Sequence, residues 1–102
     1  MPPSQYIVLT HGGAGSDPAF KDGTDRAAQA CLNHLKTGTP LIDAVCHAVS
    51  LLEGDTRFNA GLGSHPRSDG SVQMDAAVMD DQENFGAVAA LEGYANAIHI
   101  AR

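Results

Sequence analysis

The sequence predicts an α+β fold in which helices pack on an antiparallel or mixed sheet. Three observations carry this. Ile7-Val8-Leu9 is a short β-prone run, two stretches between residues 24 and 53 repeat apolar residues at helical spacing, and residues 72–91 alternate as a hairpin. The order is therefore strand, helix, helix, hairpin. At 102 residues the chain is read as one unit, with 43% hydrophobic content, ordinary for a globular protein.

Residues 6–10 read as a buried strand, ended by His11-Gly12-Gly13-Ala14-Gly15, whose glycines permit positive φ. Thr24 or a neighbour is expected to cap a helix running to Thr37. Ala28, Cys31, Leu32 and Leu35 share one of its faces, and Gly38 takes the left-handed stop. Thr39 is the expected N-cap of a second helix, with Pro40 at its first position. Leu41, Ala44, Val45, Ala48, Leu51 and Leu52 form its apolar stripe, and it ends at Glu53-Gly54-Asp55.

An irregular, glycine-rich segment follows to Gly70; such a long loop inside a compact domain is usually functional. Val72, Met74, Ala76 and Val78 then alternate with Gln73, Asp75, Ala77 and Met79 as a strand. Residues 80–84 form a five-residue hairpin loop and residues 85–91 the return strand. Asn96 is expected to cap a last helix.

Composition narrows the function. A net charge of −6 with six scattered Lys and Arg disfavours nucleic acid. No apolar run approaches the roughly 18 residues of a membrane-spanning helix. Met1-Pro2-Pro3-Ser4-Gln5 lacks the basic and apolar regions of a signal peptide. Two cysteines are too few for a disulfide framework, and a reduced cytoplasmic protein is the simplest reading.

Several candidate sites read as structural. Gly12-Gly13-Ala14-Gly15 lacks the Gly-Lys-Ser/Thr of a phosphate loop, and Asp17 would repel an anion. His11-Gly12-Gly13 is also compatible with an esterase oxyanion loop, but Ser64 lacks the flanking glycines of a nucleophile elbow. Cys31, His34, Cys46 and His47 lack zinc spacing, since adjacent helical residues diverge by about 100°. Asp69, Asp80 and Asp81 read as turn residues. Asp75 is open: it faces either solvent or an inward cradle of backbone N–H groups.

Phe58-Asn59-Ala60-Gly61-Leu62-Gly63-Ser64, followed by Asp69-Gly70-Ser71-Val72-Gln73-Met74-Asp75-Ala76-Ala77-Val78-Met79-Asp80, is the most informative stretch. With Val8-Leu9-Thr10-His11-Gly12-Gly13-Ala14-Gly15 and Phe85-Gly86-Ala87-Val88-Ala89-Ala90-Leu91, it resembles the plant-type L-asparaginase and isoaspartyl peptidase family of threonine N-terminal nucleophile hydrolases. The resemblance implies that residues 1–102 are the N-terminal portion of an α subunit, an incomplete part of an αββα sandwich (the Ntn-hydrolase fold). It implies self-cleavage before a threonine, which then attacks the side-chain amide of asparagine or a β-aspartyl peptide bond.

That threonine is expected outside this chain, because Thr24 and Thr39 sit where helices begin and lack the family's following Val-Gly. No residue here is therefore expected to be catalytic, and the chain alone is expected to be inactive. Asn59, Gly12 and Gly13 take a supporting role in self-cleavage. The resemblance further implies a structural Na⁺ held by the main-chain carbonyls of Leu52, Glu53, Asp55, Phe58, Ala60 and Leu62, although Gly54-Asp55-Thr56-Arg57 departs from the family at a place where proline is common. The implied partners are the remaining α-subunit and β-subunit segments, a second αβ unit in a homodimer, and a small-molecule or dipeptide substrate. A stand-alone binding module, a threonine-aspartase-like protease fragment and an esterase fragment are the alternatives.

Overall fold

A computed structural model describes residues 5–102. The signal-peptide reading concerns residues that fall largely outside this range. The elements are α1 (Lys21–Lys36), α2 (Leu41–Glu53), β1 (Met74–Met79), β2 (Phe85–Leu91) and α3 (Ala97–Ala101). Single 3-10 turns occur at Pro18–Phe20 and Gly61–Gly63. The result is a small α+β unit, a helical hairpin followed by an antiparallel β-hairpin.

The expected first strand does not form. Ile7 and Leu9 are 86% and 90% exposed, while Val8 packs on the helices and Thr10 Oγ1 donates to the Thr24 carbonyl at 3.0 Å. A strand needs a ladder partner, and the only described sheet is the β1–β2 pair. The segment therefore lies along the helices.

α1 begins earlier than predicted, and Thr24 is not its cap. Asp17 Oδ1 accepts the Ala19 N–H at 2.9 Å and opens the 3-10 turn, which runs straight into the helix. Thr24 already lies in the first turn and bonds back to the Lys21 carbonyl. The buried positions Gly23, Ala27, Cys31 and Leu35 recur every four residues, so the inward face centres on Ala27 instead of Ala28 and Leu32. The stop at Gly38 forms as expected. The Thr39 N–H bonds the His34 carbonyl, the Gly38 N–H bonds the Leu35 carbonyl, and Gly38 has φ +89°.

Thr39 does not cap α2. Pro40 is the N-cap residue, with ψ 141° and its carbonyl accepting from Ala44, while Thr39 Oγ1 lies 3.3 Å from His34 Nδ1. Ala44 and Ala48 face α1, and Leu41 and Val45 are exposed. The core of this hairpin is Ala27, Cys31, Leu35, Ala44 and Ala48, backed by Leu51 and Leu52. Both thiols, Cys31 and Cys46, are free and buried, and burial pushes each up in pKa. His34 and His47 meet edge-on at 4.5 Å between ring centroids.

β1 and β2 pair in the register Ala77↔Ala87, Val78↔Gly86 and Met79↔Phe85. The turn between them is knit by Asp80, which accepts the N–H groups of Gln82 and Asn84 and the side-chain amide of Asn84. Asn84 accordingly holds the Asp80 carboxyl below its usual range. The register slips beyond Ala76, where the single residue Asp75 faces Ala89 and Ala90. Asp75 is thereby settled as exposed, accepting the N–H of the bulged Ala90 at 2.8 Å. The inward cradle is not formed. Asn96 precedes α3 without a side-chain cap; α3 buries Ala97, Ile98 and Ala101 and packs on both strands and on α2.

Candidate functional site

The long segment between α2 and β1 folds back on the end of α2. Gly61 adopts φ +52°, and a Cβ there would strike the Glu53 carbonyl oxygen and side chain. A Cβ on Gly63 would strike the Phe58 and Thr56 carbonyl oxygens. The glycines are thus required by close backbone approach, and in Gly61 also by a left-handed conformation. They bring the carbonyls of Glu53, Thr56 and Phe58 against one turn of chain.

Four of the six predicted carbonyl donors already accept a backbone N–H. Leu52 accepts from Asp55, Asp55 from Phe58, Phe58 from Ala60, and Ala60 from Gly63. A carbonyl carries two lone pairs, so each of the four retains one acceptor position. The carbonyl of Glu53 lies beside Gly61, and Leu62 is exposed. Among the described residues no group of three His, Cys, Asp or Glu is placed to hold a metal ion.

Phe58 links this loop to the first glycine-rich loop. It is 3% exposed, and its ring fills the space that a Cβ would need at Gly12 (2.7 Å to Cε1) and at Gly23 (2.5 Å to Cε2). Gly12 therefore lies directly on Phe58, one residue from Asn59. Gly13 has φ +102° with open space around it, and its N–H donates to His11 Nδ1 at 3.0 Å. Asn59 Oδ1 accepts the His65 N–H at 2.8 Å and closes the turn over Ala60 and Gly61. Gly12 and Gly13 thus line one cleft with Phe58, whereas the Asn59 side chain turns to a second cleft beside Glu53, so it is the ring of Phe58 that joins the two loops, which the sequence separates by more than forty residues.

Two groups at this junction escaped the sequence reading. Arg57 binds Asp22 and Asp55 together, and it is treated below. Glu53 is 4% exposed; its Oε2 accepts the Ile98 N–H at 3.2 Å, tying α2 to the start of α3. Its Oε1 has no partner among the described residues. Burial pushes the carboxyl up in pKa, against the opposing pull of the Ile98 N–H. Beside it lies a cleft of about 370 Å³ whose lining includes Asn59, Ser64, Gln73 and Met74. A Glu directly after Leu51-Leu52, at the last position of the apolar stripe of α2, was the available signal for this residue.

The glycine-rich segments and the hairpin that follows fall within a stretch that matches a known sequence family. The asparaginase family model covers residues 4–102, and the chain belongs to that family. It is 42% identical over 103 residues to the isoaspartyl peptidase/L-asparaginase of Rattus norvegicus, covering 94% of this chain and 31% of that protein. It is 43% identical to the Homo sapiens protein of the same name, and 41% identical to the plant-type L-asparaginase of Pyrococcus abyssi (strain GE5 / Orsay), over 33% of each of those proteins. The chain thus spans about a third of the length of the curated relatives it matches. Among the described residues no helix is long and apolar enough to cross a membrane.

Proposed function

We propose that this chain forms the N-terminal part of a hydrolase that cleaves the side-chain amide of L-asparagine and β-aspartyl peptide bonds. The observation that carries the reading is the seating of Gly12 on Phe58, which joins two loops of the family signature beside Asn59. The relatives that share these loops are named for both activities.

In this reading the chain supplies scaffold rather than nucleophile. Thr24 is locked in α1 by its bond to the Lys21 carbonyl, and the Thr39 N–H completes the stop of that helix. The nucleophilic threonine is assigned, in this reading, to a segment outside these residues. Gly12, Gly13 and Asn59 would hold the cleaved region in place during self-processing. A second sheet would cover the outer face of the hairpin, where Met79 and Phe85 are 63% and 67% exposed, giving the αββα sandwich.

The loop also suits a sodium ion in its donor type. Leu52, Glu53, Asp55, Phe58, Ala60 and Leu62 would offer main-chain oxygen, each with at least one acceptor position left. The ion would brace the turn and supply no chemistry.

The test is to express the complete protein, follow its self-cleavage, and measure aspartate released from L-asparagine and from a β-aspartyl dipeptide. Cleavage at a Gly-Thr bond with turnover of either substrate is expected. An uncut protein, inactive on both, refutes the reading.

A further inference from the structure

We propose that Arg57 is a positioning residue, held between Asp22 and Asp55, that sets how the Gly12 loop sits against Phe58, the residue before Asn59. The inference rests on the function proposed above and goes beyond it, because it assigns a role to Arg57, a side chain that reading does not use.

The geometry is a two-sided fork. Arg57 Nη1 and Nη2 donate to the two oxygens of Asp22 at 2.8 and 2.9 Å. Its Nε and Nη2 donate to Asp55 at 3.0 and 2.7 Å, and the Arg57 backbone N–H adds a bond to Asp55 Oδ1 at 3.1 Å. The guanidinium carbon also lies 5.2 Å from the Phe20 ring centroid and 5.9 Å from that of Phe58. Only a planar guanidinium can grip two carboxylates and lie against aromatic rings at once.

The consequence runs through Phe58. Asp22 belongs to α1, whereas Asp55 and Arg57 belong to the loop, so the fork fastens the loop to the helix. Phe58 follows Arg57 directly and is wedged between Gly12 and Gly23, with Phe20 against its edge at 6.4 Å. Its ring position fixes the approach of the Gly12 backbone, and its backbone leads straight into Asn59. Asp55 is the inner partner, with a side chain 9% exposed, and Arg57 holds its carboxyl down to about 2.

The experiment compares Arg57→Met, which keeps an apolar stem and loses the fork, with Leu35→Ala, a helical-hairpin core variant remote from both loops. Both are made in the complete protein and assayed well below their melting temperatures for self-cleavage and for amide exchange in residues 11–15. Arg57→Met should slow self-cleavage by about tenfold or more and speed loop exchange by about tenfold, with Leu35→Ala changing neither. Arg57→Lys, which keeps the charge without the fork, should recover only part of the rate. Cleavage by Arg57→Met at the unmodified rate overturns the inference and leaves the proposed function intact. If the unmodified protein does not cleave itself, the proposed function fails and exchange alone decides: faster loop exchange in Arg57→Met only supports the clamp, and unchanged exchange refutes it.

Discussion

Gly61 and Gly38 both adopt positive φ, +52° and +89°, but their surroundings differ completely. Nothing lies within 4 Å of a Cβ built on Gly38, whereas one on Gly61 would overlap the Glu53 carbonyl and side chain. Alanine at Gly38 should therefore meet backbone strain alone, about 1 kcal/mol after the lower entropy of the unfolded chain is allowed for. Alanine at Gly61 meets similar strain and must also displace the end of α2, adding about 1–3 kcal/mol by analogy with overpacked cores. The displacement has a second effect, because the Glu53 side chain that moves is the one whose carboxylate receives the Ile98 N–H. Urea titration of both variants in the complete protein, followed by circular dichroism, measures the difference. Gly61→Ala should unfold at clearly lower urea than Gly38→Ala and should also lose amide protection in α3. Equal midpoints, or intact α3 protection in a destabilised Gly61→Ala, would refute the role given to Glu53 as the wall against which this turn is built.

Phe58→Ala should lower stability by about 3–5 kcal/mol, as its ring is almost wholly enclosed and no nearby side chain can fill the void between two glycines; a loss under about 1 kcal/mol on chemical denaturation would show that the loops close without it. Burial raises the Glu53 pKa above 4.5, so the folded state holds that proton more tightly than the unfolded one. Stability should then fall as pH rises from 4.5 through the folded-state value, and Glu53→Gln should reduce that fall; identical pH profiles from thermal melts would count against it. Exchanging tetramethylammonium for sodium at equal ionic strength should raise the melting temperature. Asp55→Ala should lower both melting points while keeping their difference, since the proposed donor at that position is a carbonyl; loss of the difference would point to carboxylate ligation.

Local chemistry was legible where it acts over a few residues. The helix stop at Gly38, the hairpin over residues 80–84 and both β-strands follow from short-range pattern, and all are present. The 3-10 turn that leads into α1 was legible in Asp17-Pro18, a cap residue followed by proline, although the expected boundary fell at Thr24. What the sequence could not supply were relations between distant segments. Ile7-Val8-Leu9 has strand propensity but no described ladder partner, so it lies along helices. Asp75 could face either way until the bulge at Ala90 was known. The Arg57 fork joins residues 35 positions apart, beyond any periodicity in a single sequence.

The five residues of α3 carry a further consequence for the order of assembly. The two larger units, α1 with α2 and β1 with β2, are each built from sequence neighbours and can form on fast local timescales. α3 touches both hairpins, and two carboxylates of α2 hold it: Glu53 accepts the Ile98 N–H in its first turn and Asp43 pairs with Arg102 just past Ala101. Among the described residues the joining of the hairpins thus rests on contacts distant in sequence, so hydrogen exchange should sort the two hairpins into separate classes when those contacts open first. Cooperativity between them then comes late, once α3 is seated.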